Sequence, residues 1–419
     1  MLDKILIAAV LVHQICPKLI SIIEFARHGA RHYRDPNETA SNVELTEFGY
    51  QQNILYGSKL KETYPEIFNK DLEISDVRVV TSHRMRCAYS ALGQLTKIFE
   101  HKYRLGENNY ERAKSEYKEL ISTYDIDVLS KEENIIFKPH LTDCKYLSQL
   151  KRKDIIEEQR VSSFYNQLLS HYKRQDFNAS KYLEDRTNEI HHFSAAYDLV
   201  HSFQSFNTTH PLDEETINYM RALKMFIRSL EKYYDPRVSA FYVQNILIEL
   251  LSSFDEILTN YTRGQPYKKF ALFVGHDSNI VPLLHVFKLT SIDCLHEELS
   301  SYKKLEESES CRFYPDFLAN FIFELHQEGT RYYVVGKYNG EEFKLCNNRV
   351  KCPLFDFRRL ILGTLQRNYA EFCVKGTNTQ LQKQKAKNDK LNKGMLILAC
   401  IVATLIVIRR IREGKIFNE

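Results

Sequence analysis

The chain has 419 residues, with 58 basic and 54 acidic side chains, a formal charge of +4 and nine cysteines. Apolar residues make up 43% and aromatics 12%, which supports a sizeable buried core and excludes a disordered chain. A mean hydropathy of -0.40 excludes a polytopic membrane protein, and 14 glycines with 10 prolines exclude collagen-like and low-complexity readings.

Taken in chain order, Lys4 precedes an apolar run from Ile5 to Val12, with the small residue Cys16 beyond it. This layout predicts a secretory signal peptide over residues 1–18, cleaved between Cys16 and Lys18. Asp3 leaves a buried first element open as the alternative. Ile20 to Ala26 is a short apolar run suited to a buried parallel strand. Leu45 to Leu60 reads as a helix with Thr46 as its N-cap. Asp76 to Ser82 predicts a second strand and Arg84 to Phe99 the helix after it. Residues 101–265 are rich in Tyr, Glu, Lys and Leu, with few strand signals. They predict a mainly helical cap inserted into an α/β body formed by residues 19–100 and 266–374. Phe270 to Val274 predicts a third buried strand. Phe317 to Leu325 and Tyr332 to Tyr338 flank Gln327-Glu328-Gly329-Thr330 as an antiparallel hairpin, and Pro353 to Tyr369 reads as a last amphipathic helix.

The C-terminal end differs in character. Residues 375–393 hold six lysines and read as a polar stalk. Gly394 to Ile408 is an uncharged run of fifteen residues, short of the ~20 that cross a hydrocarbon core. With Lys393, Arg409 and Arg410 snorkelling, residues 394–411 form a candidate transmembrane helix, followed by a cytosolic tail over 412–419. Together with the signal peptide this predicts a single-pass type I protein. Its body would lie in a lumen, such as a lysosome-like compartment, or outside the cell.

Three strand ends carry the chemistry. The first strand runs into Arg27-His28-Gly29-Ala30-Arg31, the second leads to Ser82-His83-Arg84-Met85-Arg86-Cys87, and the third ends in Gly275-His276-Asp277-Ser278. In parallel α/β sheets ligands bind at the carboxyl ends of strands. Guanidinium forks match phosphate oxygens and stay charged at any working pH, and a helix start after Arg84 adds a favourable dipole. A histidine held among arginines can attack phosphorus as a neutral imidazole. A histidine followed by an acid can grip a phosphoryl oxygen and protonate a leaving alcohol.

These segments together resemble the histidine acid phosphatase family, within the phosphoglycerate-mutase-like superfamily. Arg27 to Arg31 matches its Arg-His-Gly-X-Arg motif. Leu45-Thr46, Gly49 and Gln52 match a Leu-Thr-X-X-Gly-X-X-Gln helix start, Arg86 before Tyr89-Ser90-Ala91 its third arginine, and His276-Asp277 its late His-Asp pair. The resemblance spans residues 20–373 and implies a three-layer α/β/α sandwich with an inserted, mainly helical cap domain. Two departures stand beside the pocket. Tyr33 occupies a position where the family usually has proline, and Ser82-His83 one where it often has Thr-Asp.

The resemblance implies an acid phosphatase hydrolysing phosphate monoesters. His28 would be the nucleophile and Asp277 the proton donor, with Arg27, Arg31, Arg86 and His276 holding the phosphoryl group. It implies no cofactor and no metal; His191-His192 reads as a solvated helix face. An acid working pH is expected, because the donor carboxyl must keep its proton. Relatives narrowed to phytate, inositol phosphates or a lysophospholipid, and a catalytically silent binding protein on the same fold, are the alternatives. Oligomeric state is left open.

The family's small disulfide loop implies a bridge between Cys346 and Cys352. Cys294 with Cys311 and Cys144 with Cys373 complete one possible set, leaving Cys87 on the active-site helix; sequence does not fix connectivity. Disulfides and the four sequons at Asn37, Asn178, Asn207 and Asn260 are compatible with secretion. The sequence pI near 8.4 invites a nucleic-acid partner. Residues 1–19 carry +1 and residues 375–419 carry +7, however, which leaves -4 on residues 20–374. The basic charge belongs to the ends, so no nucleic-acid partner is expected. A small phosphomonoester and a membrane are.

Overall fold

A computed structural model describes residues 17–32, 43–102, 110–138, 212–301 and 305–365, apart from 234 and 347, with parts of 161–168 and 193–202. All of these belong to one compact unit, built from residues 1–142 and 150–367. Residues 143–149 and 368–419 form a second unit and lie outside the described residues.

The apolar runs form the strands expected of them. β1 (Lys18–Arg27), β2 (Val77–Thr81) and β4 (Phe270–Gly275) carry the three motif segments at their carboxyl ends. β3 (Ile126–Val128), β5 (Asn320–Glu328), β6 (Arg331–Tyr338), β7 (Glu341–Phe343) and β8 (Cys352–Pro353) complete one sheet. Its order is β3-β2-β4-β1-β5-β6-β7, with β8 also paired to β6. The β3-β2-β4-β1 pairs are parallel, and β5 joins β1 antiparallel. The hairpin from β5 to β6 turns through Gly329 at φ 59°, a backbone state open to glycine. β3 comes from inside 101–265, a stretch with few strand signals. Three residues are too few for a periodic pattern, and pairing to β2 decides their state.

Helices cover both faces, and the two-residue period of the strands assigns side chains to each. Ile22, Val77, Val79, Phe270, Leu272 and Ile322 pack under α1 (Glu47–Thr63) and α2 (Met85–Ile98). On the other face Phe25 stacks on Phe273 at 4.8 Å and meets Phe323 edge-on at 6.4 Å. That aromatic layer continues through Phe357 to Phe254, on α6 (Leu354–Thr364) and α4 (Pro236–Thr262). Each fully buried ring contributes about 2 kcal/mol. Between these in sequence lie α3 (Glu214–Arg228) and α5 (Asp277–Val286). This is the layered α/β architecture expected from sequence.

Two of the expected disulfides form, Cys294–Cys311 and Cys346–Cys352, and Cys87 is free and buried. Cys144 and Cys373 lie outside the described residues, as do the signal segment to residue 16 and the stalk, span and tail. Among the described residues no helix is long and apolar enough to cross a membrane.

One acid interrupts the sheet core. Glu24, on the α1 and α2 face of β1, is fully buried, and neither carboxyl oxygen has a hydrogen-bond partner. Burial pushes its carboxyl up to about 8, and the nearby Gln94 side chain offsets this only in part. The unfolded chain therefore releases this proton near pH 4.5 and the folded chain near 8. The stabilising contribution is complete below the lower value and is lost as pH rises through the upper one. On the order of 5 kcal/mol of pH dependence follows as an upper limit. Thermal melts of native and Glu24→Gln protein between the two pH values should show the native Tm falling with rising pH more steeply than the variant's. Parallel curves would show that the carboxyl does not hold its proton.

Candidate active site

Backbone hydrogen bonds bring the three strand ends together. His28 N–H donates to the Gly275 carbonyl at 3.1 Å, and Ser82 N–H to the Val274 carbonyl at 3.0 Å. The loop after β1 is then clamped to the start of α1. The Ala30 carbonyl accepts from the Thr46 N–H at 3.0 Å and from the Thr46 hydroxyl at 3.2 Å. The Ala30 N–H donates to Gln52 Oε1 at 3.1 Å. Thr46 Oγ1 also caps α1 by accepting from the Gly49 N–H. Gly49 lets the loop come this close, since a Cβ there would stand 2.0 Å from the Ala30 oxygen. A Cβ at Gly29 would meet the Gly49 oxygen at 2.5 Å. The Gly29 N–H donates to Ser90 Oγ on α2 at 3.0 Å. The Thr, Gly and Gln spacing seen in the sequence is thus the hardware of this clamp.

His28 sits within it, buried. Its Nδ1 lies 2.8 Å from the Gly29 carbonyl oxygen. A carbonyl only accepts, so Nδ1 carries the proton and the Nε2 lone pair is available. Burial first, then Arg86, His276, Arg27 and Arg31, hold the imidazole well below its ordinary range. It stays neutral in acid, as a nucleophile must. The His276 ring stands edge-on to it at 5.5 Å. His276 Nε2 pairs with Ser82 Oγ at 3.0 Å, and its backbone N–H donates to Asn279 Oδ1 at 2.9 Å. Cys87 donates to the Gly275 carbonyl, and burial pushes its thiol up to about 12.

The arginines are positioned by groups distant in sequence. Arg27, buried, donates through Nη1 to the Pro315 carbonyl at 2.5 Å. The same nitrogen lies 3.1 Å from His201 Nε2. Arginine has no acceptor, so His201 must accept with Nε2 and keep its proton on Nδ1, the side facing Asp316 at 3.7 Å. Phe317 lies under the Arg27 guanidinium at 4.4 Å and stacks on His201 at 4.2 Å. Arg31 is paired with Asp198 at 2.6 Å. Arg86 donates to the Val43 carbonyl; burial lowers it to about 10, and it stays cationic.

Asp277 opens α5 and accepts from the Tyr314 hydroxyl at 2.6 Å and from the Ser278 N–H at 2.7 Å. Burial alone would raise its carboxyl. Arg27, the Tyr314 bond, Arg228 and His276 outweigh burial and hold it far below the usual carboxylate range. The surrounding cations thus favour the ionised form of Asp277. Lys224 on α3 is also buried there, under the Tyr197 and Tyr314 rings, and burial lowers its ammonium to about 7.

All six residues singled out from sequence therefore stand at one set of strand ends. Asp198, His201, Tyr314 and Lys224 were not legible, since they arrive from segments far along the chain with no motif around them. Tyr33 and His191-His192 lie outside the described residues. Among the described residues no group of three or more His, Cys, Asp or Glu could hold a metal ion. The arrangement is a cationic pocket around a neutral imidazole with an ionised carboxylate at its edge. It suits transfer of a phosphoryl-sized anion to nitrogen.

Comparison with known proteins gives the same chemistry a lineage. The model of the histidine phosphatase superfamily (branch 2) matches residues 36–339. That range begins after Arg31, so the place of the first motif rests on the geometry above. No curated protein matches the chain in sequence. In fold the chain is similar to the phytase from D. castellii, at 13% identity, over 85% of this chain and 82% of that one, with a TM-score of 0.55. The phytase from Citrobacter braakii gives 13%, 85% and 99%, and 0.54. The multiple inositol polyphosphate phosphatase of Bifidobacterium longum gives 12%, 84% and 93%, and 0.51.

The clamp makes a direct prediction. Gly49→Ala should push the loop carrying His28 and Arg31 off α1 and weaken binding of inorganic phosphate by about tenfold or more. Calorimetric titration reads this, and wild-type affinity in a folded variant would refute the clamp.

Proposed function

Because the chain belongs to branch 2 of the histidine phosphatase superfamily and is a phosphatase, we propose that it hydrolyses phosphate monoesters through a phosphohistidine on His28. The observation that carries the reading is the neutral His28, its Nδ1–H fixed on the Gly29 carbonyl, among Arg27, Arg31, Arg86 and His276. Nε2 attacks phosphorus, a P–N bond forms, and the ester P–O bond breaks. The arginines and His276 hold the equatorial oxygens as charge spreads over them. Water then cleaves the P–N bond and releases phosphate.

Asp277 is the proposed proton donor, and because nearby cations favour its ionised form its proton is taken from the substrate. A phosphomonoester monoanion, abundant below its second pKa of about 6, carries a proton into the pocket. The bound phosphate also offsets the arginine charge that held Asp277 down. The carboxylate takes that proton and delivers it to the leaving oxygen. Acid activity then follows from the protonation of the substrate, while burial and the arginines favour the neutral form of His28.

Residues 101–265 as a specificity-setting cap, entry into the secretory route through residues 1–18, and anchoring through residues 394–411 belong to the same proposal. The two bridges, which suit an oxidising compartment, support the secretory part.

His28→Ala should lower p-nitrophenyl phosphate hydrolysis at pH ~5 by more than about a thousandfold and abolish alkali-stable phosphate labelling of the protein. Retained turnover sinks the nucleophile, and a wild-type chain that releases no phosphate from any monoester is a silent binding protein. Asp277→Asn should cost about a hundredfold with alkyl phosphates and much less with p-nitrophenyl phosphate, whose leaving group needs little protonation. Equal losses on both would remove Asp277 from the donor role. The alkaline limb of kcat/KM should track the second pKa of the phosphate ester across a substrate series. A limb fixed at one pH for every ester would place the titrating group on the protein.

A further inference from the structure

The segment leading into β5 passes the site in a short turn that touches both the nucleophile's strand and Asp277. Tyr314 donates its hydroxyl to Asp277 Oδ2 at 2.6 Å, and the Pro315 carbonyl next to it accepts from Arg27 Nη1 at 2.5 Å. Two residues on, the Phe317 ring lies under the Arg27 guanidinium, and the Leu318 N–H donates to the His28 carbonyl at 3.3 Å. Leu318 has a φ of 64°, a left-handed state that a side chain of this size rarely adopts. The turn is tied on both sides of it. The Ala319 N–H donates to the Asp316 carbonyl at 3.2 Å, and the Ala319 carbonyl accepts from the Arg27 backbone N–H at 2.9 Å. Strain of this kind persists where the surroundings over-determine the backbone.

Tyr314 itself has little freedom. Its N–H donates to the Arg221 carbonyl at 3.3 Å, and its own carbonyl accepts from Arg221 Nε at 3.1 Å. Arg221 is in turn paired with Glu307 at 2.7 Å. The Tyr314 ring stands edge-on to Tyr197 at 5.4 Å, and the Lys224 ammonium lies 5.8 Å from its centre. Burial first, and then Asp277, keeps the phenol well above its ordinary range, so it holds its proton and donates.

Asp277 receives one bond on each oxygen, from Tyr314 on Oδ2 and from the Ser278 N–H on Oδ1. The Ser278 bond is local to the first turn of α5, whereas the Tyr314 bond ties the carboxyl to the turn that also holds Arg27 and His28. A hydroxyl fixed on one oxygen sets the carboxyl plane, and it favours the charged form, which makes the acid a ready donor. We propose that Tyr314 is a positioning residue for proton delivery: its hydroxyl aims the Asp277 carboxyl at the leaving oxygen. The proton passes from the carboxyl to the ester oxygen as the P–O bond breaks, and Tyr314 keeps its own. The inference rests on the phosphatase reading with Asp277 as donor.

The test uses full-length protein carrying Tyr314→Phe, Asp277→Asn or both. Tyr314→Phe removes the hydroxyl and keeps the ring against Tyr197 and Lys224. It should lower kcat/KM about tenfold for an alkyl phosphate and much less for p-nitrophenyl phosphate. Its affinity for inorganic phosphate, read by calorimetry, should stay within about threefold of wild type. In the Asp277→Asn background the same substitution should bring no comparable further loss on the alkyl ester, because Tyr314 acts through the carboxyl. Losses alike on both esters, or losses that multiply in the double variant, belong to a packing contact and overturn the role. Wild-type kcat/KM of Tyr314→Phe on the alkyl ester overturns it too. Those results leave an active wild type and concern Tyr314 alone. Wild-type protein that releases phosphate from neither ester overturns the phosphatase reading itself, and the role of Tyr314 with it.

Discussion

The site depends on the clamp around the Ala30 peptide. Its carbonyl takes two hydrogen bonds from Thr46 and its N–H gives one to Gln52. One short peptide thus fixes His28 on one side and Arg31 on the other against the first turn of α1. The close approach works only because Gly29 and Gly49 face each other without side chains. His28 could not otherwise keep a defined tautomer beside three arginines. Like charges gathered in a pocket spread apart unless the backbone holds them.

That concentration of charge shapes its surroundings. The pocket pushes its histidines below their ordinary range, towards the neutral form that water at mildly acid pH would protonate, and favours the ionised form of its aspartate still further. Supporting groups arrive from the long segment between β3 and β4. Asp198 neutralises Arg31, His201 accepts from Arg27, and Arg221 on α3 binds the Tyr314 carbonyl, which fixes the loop whose hydroxyl reaches Asp277. These residues are therefore part of the electrostatic surroundings of the site.

Much of this was legible in sequence, for a definite reason. β1, β2 and β4 are apolar runs that end directly in charged motifs, and Thr46, Gly49 and Gln52 act locally on one helix turn. Residues whose roles depend on distant packing left no such trace. His201 matters because Phe317 and Arg27 lie against it, and Tyr314 because its hydroxyl reaches Asp277. β3 is a strand because β2 offers it an edge. Glu24 looks in sequence like an ordinary acid at a strand centre, and only the helices laid over it turn it into a buried carboxyl. Asp277 stands directly after β4, as its motif suggests, while its proton affinity depends on Arg27, Tyr314 and Arg228, which no local pattern brings near it.

Cys87 lies beside His276, its sulfur directed to the Gly275 carbonyl and 3.9 Å from His276 Nδ1. An odd thiol in a chain with bridges ordinarily invites disulfide exchange, yet exchange requires a thiolate within reach of solvent. This sulfur has neither property while the three strand ends stay together. Its reactivity is therefore a clock for opening of the site. A reagent reaches Cys87 only when its surroundings open, and its labelling reports the rate of that opening where modification outruns reclosing.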